Sequence, residues 1–182
     1  SAGNVLAMTT TIEAAFGSRI LADGGTGLLG GYLLNNELTD FSFKASDEQG
    51  RLIANRVEPG KRPRSSMSPT LVFDGETGEW VASLGSPGGA AIIHYTARSL
   101  IALLDWQLDA SAVVELPHAV TLGGPVWLEA DRYTPEVITT LQTLGHDVSE
   151  RELTSGIQFL LKTPNGITGA ADPRREGRVM GD

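Results

Sequence analysis

The chain has 182 residues, enough for one compact domain with a real core, and 41% of them are hydrophobic, which favours a globular protein over a disordered one. Twenty-two Asp and Glu against 14 Lys and Arg leave a net charge of −8, which opposes binding to a nucleic-acid backbone. There is no cysteine, hence no disulfide, thiolate metal site or cysteine nucleophile, and the longest apolar run, Leu100 to Leu104, is far short of the roughly 20 residues of a membrane span.

In chain order, Asn4 to Ile12 is threonine-rich without an internal turn residue and predicts a strand, and Tyr32 to Leu34 predicts a second, short one. Ser42 to Pro59 lacks sustained periodicity and reads as a long loop, followed by the basic Lys61-Arg62-Pro63-Arg64. Thr70 to Phe73 and Glu79 to Leu84 flank an Asp-Gly turn signal and predict a hairpin. Ile93, Ala97, Leu100 and Leu104 fall at helical spacing, which predicts a helix from Ala90 to about Trp106 with that face buried. Asp109 is placed to cap a second helix that Pro117 ends, and Thr134-Pro135-Glu136 starts a third that Gly145 stops. Gly156 to Lys162 and Ile167 to Ala170 pair around Pro164-Asn165-Gly166. Strands in runs and helices in runs predict an α+β fold, not alternating βαβ units, in a single domain over residues 1–182.

Three segments could carry chemistry. Ser86-Pro87-Gly88-Gly89 lies between a predicted strand and a helix, where unpaired N–H groups face an anion; it reads as an oxyanion hole or as a tight turn needing positive φ. Ser65 and Ser66 follow Arg51, Arg56, Lys61, Arg62 and Arg64, five of the six cations of residues 41–64, a segment of net charge +3. Hydroxyls and cations together suit a carboxylate; the alternative is a polar loop with a capping serine. Glu37 and Asp40, three residues apart, could receive an ammonium group, although acids at that spacing also occur simply solvated. His94, His118 and His146 are too scattered to predict a metal site, and no cofactor is expected.

In order, Thr9-Thr10-Thr11, Asn35-Asn36-Glu37-Leu38-Thr39-Asp40-Phe41, Lys61 to Thr70, Leu84 to Gly89 and Gly169-Ala170-Ala171-Asp172-Pro173-Arg174 resemble the small subunit of the γ-glutamyltransferase family. The resemblance implies the αββα sandwich of the N-terminal nucleophile hydrolases, made as a precursor that cuts itself to expose a catalytic threonine. It implies oxyanion-hole amides at Gly88 and Gly89, and a hydrogen bond from Thr11 that orients the nucleophile. It further implies α-carboxylate binding by Ser65 and Ser66 and α-ammonium binding by Glu37 and Asp40. The family's nucleophile lies just upstream of Ser1, and the arginine that pairs with the substrate carboxylate belongs to the large subunit. The chain by itself is therefore expected to be inactive, and to lack the first strand and the large subunit of the sandwich.

Glutathione-processing members usually carry Asn where this chain has Glu13; the Thr-Ile-Glu version resembles a bacterial branch that includes poly-γ-glutamate depolymerases. A carboxylate there would strengthen amine binding or reject a second anion. A cephalosporin or glutaryl acylase of the same fold is the alternative within enzymes, disfavoured by the ammonium-binding acids, and a dead binding module is the alternative outside them. The expected partners are the large subunit of the same precursor, a γ-glutamyl small molecule or peptide, and a second copy through self-association that hides exposed strand edges, with no nucleic acid or membrane. The family implies export to the periplasm or outside the cell over a cytoplasmic location.

Overall fold

The computed structural model describes residues 3–25 and 30–181. The chain divides into two compact units, one formed by Thr10–Ser65 and the other by the residues up to Thr9 together with those from Ser66 onward.

In the unit Thr10–Ser65, β1 (Leu21–Ala22) pairs antiparallel with β2 (Tyr32–Leu33). β2 is the predicted short strand; two residues of β1 are too few to leave a pattern in the sequence. Gly17, at φ 51°, lies where a Cβ would collide with the Leu34 carbonyl, so only glycine lets the chain pass there. The next residue, Ser18, donates from N (2.8 Å) and Oγ (3.0 Å) to that same carbonyl. A single 3-10 turn, Glu37–Asp40, leads to the buried Phe41. The loop beyond it forms no strand, as expected, but is closed by the bridges Ser42↔Arg56 and Ser46↔Leu52 and by Glu58, which pairs with Arg56 (2.9 Å) and Lys61 (2.8 Å).

The other unit contains, in order, β3 (Thr70–Phe73), β4 (Trp80–Gly85), a 3-10 turn (Gly89–Ala91), α1 (Ile92–Leu104), α2 (Ala110–Glu115), β5 (Ala119–Thr121), β6 (Val126–Glu129), α3 (Pro135–Thr143), β7 (Val148–Arg151), β8 (Gln158–Thr163) and β9 (Gly166–Ala171). Its main sheet is antiparallel in the order β3-β4-β8-β9, with Leu84 opposite Phe159 and Phe159 opposite Ala170. That row packs with Tyr95, Ala102 and Leu103 of α1 and Val113 and Val114 of α2 to make the core. On the opposite face Leu71, Phe73, Leu160 and Ile167 are exposed.

Local signals held where they depend on neighbours in sequence. Asp74 closes the β3–β4 hairpin by accepting from the amides of Glu76 (3.0 Å) and Thr77 (2.7 Å), and Asp109 caps α2 by accepting from the Ala112 amide at 2.8 Å. α3 begins at Pro135 as predicted.

Two expectations are corrected. The strand Asn4–Ile12 does not form among the described residues, because an extended segment becomes a strand only with a partner backbone beside it. The face of α1 expected to be buried is not: Ile93 and Leu104 are more than half exposed, and the buried stripe is Ile92, Tyr95, Thr96, Ser99, Ala102 and Leu103. Its small residues let the helix approach closely, and the Ser99 hydroxyl is satisfied by the Tyr95 carbonyl at 2.8 Å. The expected α+β arrangement is observed, and within it the small sheet β5-β6-β7 contains one βαβ crossover, with β6 and β7 parallel and α3 between them.

Candidate active site

The predicted site residues fall into both units. Thr11, Glu13, Glu37, Asp40 and Ser65 belong to Thr10–Ser65, whereas Ser66, Gly88 and Gly89 belong to the other unit.

In the first unit, Glu13 adopts a left-handed φ of 73°, and its amide donates to the Thr11 hydroxyl at 2.9 Å. This turn directs the Glu13 carboxylate to the Nδ2 of Asn36, with the Thr39 hydroxyl, which donates to the Asn36 carbonyl at 2.9 Å, lying 3.4 Å from the same oxygen. The other amide atom of Asn36, Oδ1, accepts from the Ala14 amide at 3.0 Å. Asn36 thus ties Glu13 to the turn carrying Glu37 and Asp40, a role sequence reading missed although the residue lay within a quoted block. Burial, then the charges of Asp40 and Glu13, push the Glu37 carboxyl above its ordinary range. A carboxyl whose proton affinity is raised by neighbouring carboxylates is a setting that an ammonium ion relieves.

Asn55 is the second residue that sequence reading missed. Its Nδ2 donates to the Asp40 carbonyl at 2.7 Å, and its Oδ1 accepts from the Arg64 amide at 3.1 Å. Ser65 is exposed and Ser66 half-buried; the Ser66 carbonyl accepts from the Ser68 hydroxyl at 2.9 Å.

In the second unit, Gly88 has φ 140° and Gly89 φ 57°, a pair of left-handed residues at the entry to the helical segment. The carbonyls of Gly88 and Gly89 accept the first backbone hydrogen bonds there, from Ala91 and Ile92, so their own amides precede the ladder and point out of it. A Cβ on Gly88 would stand 2.5 Å from Cε2 of Tyr95, a buried ring. From the other side the Ser86 hydroxyl accepts from the Gly156 amide at 3.1 Å and donates to the Pro87 carbonyl at 2.7 Å, while a Cβ on Gly156 would stand 2.8 Å from Pro87. Gly88 is therefore held in a packed loop while the Cβ position of Gly89 is open, an arrangement suited to presenting two N–H groups to a developing oxyanion.

Behind this loop lies a buried polar network. Ser155 donates to Asp172 at 2.5 Å and pairs with Nε2 of His118 at 2.8 Å. The single hydroxyl proton is given to Asp172, so His118 must donate and carries its proton on Nε2. Arg174 forks onto Glu129 at 2.6 and 2.8 Å and reaches Asp172 at 3.1 Å and the carbonyls of Val114 and Leu116. Burial, then the positive charge of Arg174, lowers the His118 pKa to about 4, while its ring lies 4.4 Å from that of Tyr95. Asp172 and Arg174 stand in the Gly169–Arg174 block, but side-chain partners 17 and 45 residues away leave no signal in the sequence. Among the described residues no group of three or more His, Asp or Glu could hold a metal ion, and no helix is long and apolar enough to cross a membrane.

The family model described as Gamma-glutamyltranspeptidase matches residues 1–182. The glutathione hydrolase proenzyme of Bacillus subtilis (strain 168) is 34% identical over 182 residues, 98% of this chain and 29% of that protein. The glutathione hydrolase proenzyme of Escherichia coli (strain K12) is 35% identical over 179 residues, 94% of this chain and 30% of that protein. The solved structure of gamma-glutamyltranspeptidase from Pseudomonas nitroreducens complexed with L-DON superposes with a TM-score of 0.84 at 28% identity, covering 99% of this chain and 94% of that one. This chain thus spans about three tenths of the length of the curated relatives it matches.

Proposed function

Since the chain belongs to the gamma-glutamyltranspeptidase family, we propose that it works as one small-subunit-like domain of a self-processed enzyme that hydrolyses or transfers γ-glutamyl groups. The observation that carries this reading is the loop Ser86-Pro87-Gly88-Gly89, whose two glycines are left-handed, with Gly88 packed against Tyr95 and Ser86 and Pro87 held against Gly156. Acyl transfer needs two preorganised N–H donors where a carbonyl oxygen becomes an oxyanion.

In this reading a threonine upstream of Ser1 attacks the γ-carbonyl, and its own α-amine takes the hydroxyl proton and passes it to the leaving amine. Gly88 and Gly89 stabilise the oxyanion. Thr11 orients the nucleophile, Ser65 and Ser66 hold the α-carboxylate, and Glu37 and Asp40 hold the α-ammonium. Water or an amino acid then takes the acyl group. Glu13 adds a carboxylate at the ammonium end and sets donor preference. The large subunit supplies the arginine for the substrate carboxylate and covers the exposed Leu71, Phe73 and Leu160. The separate chain is then inactive and self-associates, and the mature enzyme is exported.

The test is anilide release from L-γ-glutamyl anilide by the complete precursor, compared with the D isomer and with glutaryl anilide. Saturable release restricted to L-γ-glutamyl donors is expected. Self-cleavage without such release, or release from glutaryl anilide alone, would point to an acylase; absence of self-cleavage would point to a non-catalytic module.

A further inference from the structure

The two ends of an α-amino acid, its ammonium and its carboxylate, hang from one carbon atom, so groups that bind both must be held at a fixed spacing. Within Thr10–Ser65 these groups lie apart in sequence: the acid turn ends at Asp40, and Ser65 follows 25 residues later, after the loop. One side chain joins the two. Asn55 Nδ2 donates to the Asp40 carbonyl at 2.7 Å, and Asn55 Oδ1 accepts from the Arg64 amide, the residue before Ser65, at 3.1 Å. A carbonyl can only accept and an amide N–H can only donate, so the orientation of the Asn55 side chain is fixed by its partners. Its own carbonyl accepts from the Ser42 amide at 2.8 Å, which returns the loop to the foot of the acid turn. The residues around it are braced too: Lys61 Nζ donates to the Ala54 carbonyl at 3.0 Å and pairs with Glu58 at 2.8 Å.

We propose that Asn55 is a positioning residue that sets the spacing between the ammonium end and the carboxylate end of the donor site, and thereby its selectivity for L-α-amino acid headgroups. The inference rests on the reading of Asp40 and Ser65 given under Proposed function. Asn55 touches no reacting atom; it acts through the Asp40 backbone and the Arg64 backbone. Only an amide serves, because it is donor and acceptor at once. An isosteric Asp at this position keeps the acceptor for Arg64 but sets an oxygen against the Asp40 carbonyl.

The experiment uses the complete precursor after self-cleavage, with Asn55→Asp and Asn55→Ala beside the unaltered protein. KM and kcat are measured with L- and D-γ-glutamyl anilide, together with inhibition constants for L-glutamate and for glutarate. The expected result is a KM for the L donor raised about tenfold, the scale of one lost hydrogen bond, with kcat within about threefold of the parent. The inhibition constant for L-glutamate rises in step, that for glutarate stays within about threefold, and the preference for L over D donors falls. A KM unchanged in both variants, a loss confined to kcat, or an equal loss of glutarate and L-glutamate affinity would overturn the assignment. If Asn55→Ala does not fold, Asn55→Asp decides; if neither folds, Asn55 serves folding alone and the assignment fails. An unaltered precursor without L-γ-glutamyl activity would instead overturn the functional reading, and this one with it.

Discussion

The ring of Tyr95 occupies the space that a side chain at Gly88 would need, with Cε2 2.5 Å from the ideal Cβ position. Gly88 is thus doubly constrained, by its φ of 140° and by an aromatic ring that is 2% exposed and pinned on the core side. Gly88→Ala is expected to lower kcat about 100-fold, the effect of losing an oxyanion donor, with KM little changed. Tyr95→Leu in the same background opens the space and should recover part of that loss; steady-state kinetics on the complete protein checks both.

Glu13 faces the acid turn through Asn36 and Thr39, and its charge helps raise the Glu37 carboxyl. Replacing Glu13 with Asn removes that charge while keeping a hydrogen-bonding side chain. Glu37 should then titrate at lower pH, only in part, since burial is the larger cause. The expected outcome is a KM–pH profile for L-γ-glutamyl anilide whose acid limb moves to lower pH; an unmoved limb would separate Glu37 from donor binding.

His118 is held neutral in the fold, with a pKa of about 4 against an ordinary 6.5. The unfolded chain therefore binds this proton first as pH falls. The stability this group confers is complete above about 6.5 and is lost progressively as pH drops towards 4, at up to about 1.4 kcal/mol per pH unit for one proton. Glu129 and Asp172, both lowered, lose their contributions further into acid. Urea unfolding between pH 7 and 4 should show this slope, and His118→Gln, which keeps a donor for Ser155 but cannot titrate, should flatten it.

Arg174 pairs with the carboxylates of both Glu129 and Asp172, and the three side chains are 10, 11 and 0% exposed. Arg174→Ala leaves both carboxylates buried and unpaired and should destabilise the protein by about 3–5 kcal/mol. Adding Glu129→Gln should restore part of this, because one uncompensated charge is removed with its hydrogen-bonding shape largely kept. Denaturant midpoints of the single and double variants test the coupling.

What the sequence determined by itself is what neighbouring residues decide. Asp74 and Thr77 make their own turn, Asp109 reaches an amide three residues on, Pro135 starts a helix, and paired glycines permit left-handed backbone ahead of α1. These outcomes depend on contacts within a few positions, so the order of residue types suffices. The family blocks were legible for the same reason, as short runs read in order. Tertiary structure decided the rest. α1 carries apolar residues on both sides, and periodicity cannot tell which stripe meets the sheet; the stripe with Thr96, Ser99 and Ala102 did, because small side chains allow close approach. Asn4–Ile12 had strand composition but found no ladder. His118, Ser155, Asp172, Arg174 and Glu129 form one network only because β6, β8 and β9 bring distant positions together, and Asn55 became a brace only once its loop closed on Asp40. A buried polar group is satisfied by whatever the fold places within about 3 Å, and that distance is set by packing, not by spacing along the chain.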